Sequence, residues 1–428
     1  MIDLNMETLI FDTGERYPML VDSGGMPDFY ISLFITVMMR PKSETNTLVK
    51  VLSALKHLRR WEEFNDRRLD DEFYEGRLLE LADLHSIRDH CKLDSDAFEN
   101  WVAQKKAINA GDLVNVASLN RNQSPQILSV SNNHRAIRMG YIAAYLKFLA
   151  ETVMRVRPDY PCLLPQIDRM IGDFRKLIPR TRSYQQNSGV SRTPDHSVFE
   201  TYLYIAKPGS IDNPFKNPGR QLRHFIMMSL QFEAGLRPGE VLALWAEDIE
   251  YGAENYVHVV RRHHDPRDPR IRQEVAKTKP RVLPIDHELA RLIHKYVVEV
   301  RNKIPEAQSH PLLFVTHASN GRGQPISSKA VMQEVGQIIN IRPDTLAGLT
   351  RHQFRHGFAN HAKEVMGEKG IQNASQEPIM QQALGHGSPE SQKPYTDKYV
   401  QKEASKTLQE INRERHGKAK STDIKKDA

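Results

Sequence analysis

Apolar residues recur every three or four positions through much of the first half of the chain. In TNTLVKVLSALKHLRRWEEFND, Leu48, Leu52, Leu55, Leu58 and Trp61 fall at helical spacing with basic residues between them. HRAIRMGYIAAYLKFLAETVMRVRP repeats the pattern through Ile137, Tyr141, Tyr145 and Phe148, and stops before Pro158. The most apolar run, FYISLFITVMM from Phe29 to Met39, is too short for a bilayer, which needs about 20 residues. It predicts a buried helix in a soluble protein. Two polar stretches lack this period. Residues 109–134 read as a loop or irregular insert. RTRSYQQNSGVSRTPDHS, from Arg180 to Ser197, reads either as an exposed linker between domains or as a long surface loop.

Beyond Ser197 the pattern changes. LRHFIMMSLQFEAGLRPGEVLALW predicts an apolar helix, a turn at Gly235 and a second helix opening at Pro238. ENYVHVVRR and PRVLPI are short β-rich runs joined by a long basic connection, and HELARLIHKYVVEVRNK returns to helix. The expected fold class is therefore mainly α with a small antiparallel β-sheet.

Composition narrows the function classes. A chain of 428 residues, 39% hydrophobic and 26% charged, is ordinary globular protein with room for two or three domains. The net charge of +7 favours a polyanionic partner, nucleic acid being the commonest. Cys91 and Cys162 are too few for a disulfide framework or a four-cysteine zinc site, and suit a reducing cytosol. The acidic start, MIDLNMETLIFDTGERYP, lacks the basic and apolar segments of a secretory signal.

Four features carry candidate chemistry. Arg237 follows the glycine turn in AGLRPGEVLAL. Lys277 and Lys279 lead into a strand in VAKTKPRVLPI. His352 and Arg355 stand at i, i+3 in LTRHQFRHGFANH, on one helix face. His386 and Tyr395 lie nine positions apart in QQALGHGSPESQKPYTDKYV, a stretch too polar to be core. Each has a bland reading. Arg237 can simply pair with Glu240, the lysines can be solvated turn residues, and Tyr395 can be half-buried. His352 and His356 have the i, i+4 spacing of a helical zinc pair, but Gln353 stands where a zinc hydrolase of that type needs glutamate. No metal and no cofactor is expected.

As a set, these residues are what a metal-free phosphodiester transfer requires. Arginine forks bind non-bridging phosphate oxygens bidentately. A tyrosine hydroxyl attacks phosphorus once its proton is taken, and a lysine protonates the departing sugar oxygen.

The order of motifs resembles the tyrosine recombinase, or phage integrase, family. The residues that carry the resemblance are GLRPGE, AKTKPRVLPI, HQFR, LGH and YT, within roughly Thr193 to Glu410, and more weakly residues 26 to 175. The resemblance implies a helical core-binding domain and a catalytic domain that form a C-shaped clamp on double-stranded DNA. By matching position, Arg237 and Arg355 would hold the scissile phosphate and Lys277 would be the general acid. His352 would assist as acid/base, and His386 would hydrogen-bond the phosphate. Tyr395 would attack, leaving a 3′-phosphotyrosyl link and a free 5′-hydroxyl, without ATP or metal. The implied boundaries are an N-terminal arm over 1–25, a core-binding domain over 26–175 and a linker over 176–192. A catalytic domain over 193–412 and a basic tail over 413–428 complete them. The implied partners are DNA, a homotetramer on two sites and accessory directionality proteins, with no membrane, in a bacterial cytoplasm at the nucleoid. Integration, excision or transposition of a mobile element is the implied role. A type IB topoisomerase and a non-catalytic DNA-binding protein are the alternatives.

The chain departs from the family pattern in places. Between Arg237 and Lys277 lies an unusually long gap. Its segment from Arg261 to Arg281 holds eight Lys/Arg against three Asp/Glu, and reads either as an extended hairpin reaching a DNA groove or as a solvated loop. Phe354 replaces a more usual leucine.

Overall fold

A computed structural model describes residues 4–95, 97–98, 129–180, 194–276, 279–371, 373–385, 407–411 and 413. Among the described residues the protein is mainly helical with two small antiparallel sheets. No described helix is long and apolar enough to cross a membrane. The chain divides into two compact units, one of Met1–Phe11 with Arg16–Ser188, the other of Asp12–Glu15 with Gly189–Ala428.

In the first unit the helical pattern holds over α2 (Thr45–Phe64) and α5 (Asn132–Met154), with α1 (Phe29–Phe34), α3 (Leu69–Tyr74), α4 (Leu81–His90) and α6 (Tyr160–Lys176) around them. Leu48, Leu52, Leu55, Leu58 and Trp61 are all buried, as their spacing requires.

Three expectations need correction here. The polar stretch expected to run to residue 134 ends at Ser131, whose hydroxyl caps α5 by accepting the His134 N–H. The apolar run from Phe29 to Met39 is helical, passing into a π-turn, but only one side is covered. Ile31, Phe34 and Ile35 are buried while Phe29, Val37 and Met38 are exposed. The segment expected as an arm holds a hairpin, β1 (Asn5–Ile10) paired with β2 (Arg16–Val21), and Leu4, Tyr17 and Leu20 join the core of this unit.

The second unit opens with α7 (His196–Ala206), α8 (Pro218–Glu233) and α9 (Pro238–Ala243). A three-stranded antiparallel sheet follows, in the order β3 (Ile249–Glu250), β4 (Asn255–Val259), β5 (Arg281–Ile285). Val257 pairs with Leu283 and Asn255 with Ile285, so the apolar positions alternate onto one core face. Next come α10 (His287–Lys295), α11 (Ser328–Ile339), α12 (Pro343–Leu346), α13 (Arg351–Glu368) and α14 (Asn373–Leu384).

Close packing fixes α13. A Cβ on Gly357 would stand 2.7 Å from the Phe199 ring, so only glycine lets the helix seat there. Phe354 is fully buried and meets Phe199 and Tyr202 edge-on, at ring separations of 5.3 and 5.0 Å. Its larger side chain is absorbed by an aromatic cluster, and its removal would cost roughly 3–5 kcal/mol.

The described part of the basic connection between β4 and β5 is no extended hairpin. Arg262 grips Asp248 with both terminal nitrogens, at 2.8 and 2.6 Å. The guanidiniums of Arg262 and Arg267 lie 3.9 and 4.2 Å from the Trp245 ring centre. Arg270 donates to the Leu242 carbonyl at 2.9 Å. These charges are spent on fixing the connection against its own domain rather than on an outstretched arm.

Candidate active site

The turn that presents Arg237 is built by its neighbours. Gly235 has φ +66, and a Cβ there would lie 2.5 Å from the Phe358 ring, so both backbone and packing demand glycine. Pro238 takes the first position of α9, where its missing N–H costs nothing. Arg237 itself is the extended residue before the helix. Glu240, one turn on, accepts the Arg237 backbone N–H at 2.9 Å and its Nη1 at 3.3 Å. The bland reading of Arg237 as a partner of Glu240 is thus realised. The pairing still leaves the arginine side chain 29% exposed over a carboxylate that is 1% exposed.

Helix α13 supplies the second arginine. Its start is fixed by a reciprocal cap in which the Gln353 side chain accepts the Thr350 N–H at 2.6 Å. The residue that spoils a zinc-hydrolase pattern has its own job there. His352 is exposed, and Arg355, one turn on, is buried. Arg355 Nη1 donates to the Gly235 carbonyl at 2.6 Å and stands 3.7 Å from Glu240 Oε2.

The two arginines meet on one atom. Arg237 Nη1 donates to the Leu384 carbonyl at 3.2 Å, and Arg355 Nη2 donates to the same oxygen. Leu384 is the last residue of α14, and Gly385, with φ +59, turns the chain out of the helix. A third arginine completes the cluster. Arg281 at the start of β5 holds Glu240 with two bonds, of 3.1 and 2.7 Å, and donates Nε to the Ala383 carbonyl at 3.0 Å.

Three guanidiniums therefore gather on one buried carboxylate. Burial first, then the charge of Arg237, presses Arg355 below the ordinary guanidinium range. The cluster is relieved by any anion that reaches the exposed side of Arg237. Partial burial, then Arg351, His356, Arg237 and Arg355, hold the His352 imidazole below its ordinary value, so it is neutral near pH 7. A forked pair of cationic donors beside a neutral imidazole suits an oxyanion and its proton transfers.

Of the residues singled out in the sequence, Arg237, His352 and Arg355 are brought to this place. Lys277, His386 and Tyr395 lie outside the described residues, as do Tyr399, the greater part of the polar insert and the expected linker. Lys279, the alternative lysine, is described and exposed. Arg281 carries no role in the sequence reading and Glu240 enters it only as an ordinary partner of Arg237, although both stand inside its motifs, GLRPGE and AKTKPRVLPI. The signal available was their charge in otherwise apolar runs. The part played by the carbonyls of Gly235, Ala383 and Leu384 has no sequence signal.

The phage integrase family pattern matches residues 212–402, a span that contains every one of these side chains. This part of the chain is therefore similar to the phage integrase family. Over 165 residues the protein is 28% identical to transposase A from transposon Tn554 of Staphylococcus aureus, covering 38% of this chain and 40% of the relative. Over 192 residues it is 26% identical to tyrosine recombinase XerD of Chlorobaculum tepidum, covering 44% of this chain and 53% of the relative. The chain thus spans about two fifths to one half of the curated relatives it matches. A structure of XerH recombinase bound to difH substrate shares 14% identity at a TM-score of 0.35, over 64% of this chain and 82% of that one. The Tn1549 transposon integrase with circular intermediate DNA shares 14% identity at a TM-score of 0.33, over 70% and 97%.

Proposed function

We propose that this protein is a DNA strand-exchange enzyme that cuts and rejoins duplex DNA through a tyrosyl phosphodiester, acting for a bacterial mobile element. The observation that carries the reading is the convergence of Arg237 and Arg355 on one carbonyl oxygen, beside an exposed, neutral His352. An oxygen that accepts from two guanidiniums stands where a phosphate oxygen would.

In this reading Arg237 and Arg355 bind the non-bridging oxygens of the scissile phosphate, and His386 adds a hydrogen bond. The Tyr395 oxygen gives up its proton and attacks phosphorus, with His352 assisting. The bond to the 5′-oxygen breaks, Lys277 protonates that oxygen, and a 3′-phosphotyrosine remains. A 5′-hydroxyl from a partner strand reverses the steps. Bond energy is kept in the phosphotyrosine, so the cycle needs neither ATP nor a metal. The same proposal includes a homotetramer on two DNA sites, accessory directionality proteins, a cytoplasmic setting at the nucleoid, and a clamp of core-binding (26–175) and catalytic (193–412) domains.

The test is covalent capture on a nicked duplex whose cut releases a short fragment and blocks rejoining. Wild type should form a protein–DNA adduct in EDTA. Tyr395→Phe should form none while binding DNA almost unchanged, because phosphate contacts dominate affinity. Capture by Tyr395→Phe with loss in Tyr399→Phe would move the nucleophile. Relaxation of supercoiled DNA without exchange between two sites would favour the topoisomerase reading.

A further inference from the structure

Glu240 is unequally shared. Its carboxylate lies against Arg281 at 2.7 and 3.1 Å, whereas Arg237 approaches at 3.3 Å and Arg355 at 3.7 Å. Arg281 and Glu240 side chains are each 1% exposed, so the pair is formed away from water. A buried carboxylate held by one arginine does less to neutralise the other two.

From this geometry we infer that Arg281 is a positioning residue that keeps Glu240 from neutralising the Arg237–Arg355 pair, and so keeps that pair open to an anion. The inference rests on the reading above for the identity of the anion, a DNA phosphate. Without Arg281, Glu240 keeps its charge and its burial, and it closes on the remaining guanidiniums. Those donors, which otherwise rest on the neutral Gly235 and Leu384 carbonyls, are then claimed by a carboxylate that a phosphate displaces less readily. Arg281 acts at a second point as well. Its Nε holds the Ala383 carbonyl, one residue before the Leu384 carbonyl on which Arg237 and Arg355 meet. One side chain at the start of β5 thereby sets both the carboxylate and the end of α14. A displacement of about 1 Å at such a site costs on the order of a hundredfold in rate.

The experiment compares wild type, Arg281→Met, Arg281→Lys and the double variant Arg281→Met/Glu240→Gln by two readouts. The first is the rise in melting temperature with inorganic sulfate, which reads the arginine pair as an anion site whatever the enzyme does. The second is adduct formation on the nicked duplex. Arg281→Met should lose most of the sulfate-dependent rise and slow adduct formation by about a hundredfold. The double variant should regain both in part, because a neutral amide no longer draws in the guanidiniums. Arg281→Lys keeps the charge without the fork and should fall between wild type and Arg281→Met, which guards against a folding defect. A double variant no better than Arg281→Met in either readout overturns the inference, as does an Arg281→Met protein that responds to sulfate like wild type. A wild type that binds sulfate but forms no adduct would instead overturn the proposed function and leave the role of Arg281 standing.

Discussion

The second unit holds two clusters of arginines around a buried glutamate, and they differ in the number of guanidiniums and in what the exposed one touches. Around Glu334 the set is tied off, although Arg220 is 32% exposed, because that guanidinium also donates to Gln337 at 2.8 Å and lies 4.3 Å from the Phe215 ring centre. Arg223 pairs with Oε1, Arg220 reaches the same oxygen at 2.8 Å, and His224 Nδ1 donates to Oε2 at 3.0 Å. Tyr202 lies 2.8 Å from the other ring nitrogen of His224, and both residues are fully buried. Around Glu240 the set is open. Three guanidiniums face the carboxylate, and one of them, Arg237, is partly in solvent. Similar chemistry gives a structural tie when two guanidiniums and a neutral imidazole share the carboxylate and the exposed guanidinium is taken up by neighbouring side chains. It gives an anion-seeking site when three guanidiniums share one carboxylate and the exposed one rests on a backbone carbonyl.

The largest effect should come from breaking the Glu334 cluster. Arg223→Ala removes a buried partner of both Glu334 and the Val315 carbonyl and leaves Glu334 only Arg220 and His224. It should destabilise the protein by about 3–5 kcal/mol, read by denaturant melts, while the folded fraction still forms adduct. Arg355→Ala should do the reverse. Loss of an oxyanion donor should slow adduct formation by about a hundred- to a thousandfold with a much smaller shift in melting. If both variants fail by unfolding alone, the contrast between the clusters is lost.

Acid should separate the clusters next. Burial pushes the Glu334 carboxyl up, but the His224 hydrogen bond and Arg223 outweigh it and hold the group at about 2. The folded value lies below the unfolded one, so the stability it contributes is present above about pH 4.5 and is lost as pH falls towards 2. This amounts to on the order of 3 kcal/mol. His224, kept neutral by burial, adds to the loss in the same direction. In Glu334→Gln the acid sensitivity of melting should diminish. The smallest effect concerns His352. Because its imidazole is depressed, the adduct rate should hold as pH falls from 8 to about 6.5, where an ordinary imidazole is half protonated. Arg351→Gln removes a neighbouring charge and should move the acid limb to higher pH. An unmoved limb would detach His352 from the rate.

Helices were legible where one face repeats, as in Leu48 to Trp61, and the turn at Gly235 was legible because glycine followed by Pro238 leaves few alternatives. His352 and Arg355 could be singled out because their i, i+3 spacing shares a helix face, and Arg237 because it follows the glycine turn, the set together fitting phosphate chemistry. The hairpin over residues 5–21 was hidden by burial rather than by weak pattern. β2 is buried at nearly every position, so it lacks the alternation that marks a half-exposed strand. The arginine-rich connection misled for another reason. Net charge does not reveal that Arg262 and Arg270 are matched to Asp248 and Asp268. Arg281 was passed over because a charged residue entering a strand is ordinary until its partner, 41 positions away in sequence, is known.

The stacking of Arg262 and Arg267 on Trp245 also gives the molecule an optical signal. The residue is 2% exposed and its backbone N–H donates to Asp248 at 2.8 Å, so the indole emission should be blue-shifted and sensitive to those two planes. In a Trp61→Phe/Trp101→Phe background, lifting of the β4–β5 connection would expose the ring and move its fluorescence to longer wavelength. A stopped-flow trace of that single residue would then time the connection's movement against the arrival of DNA.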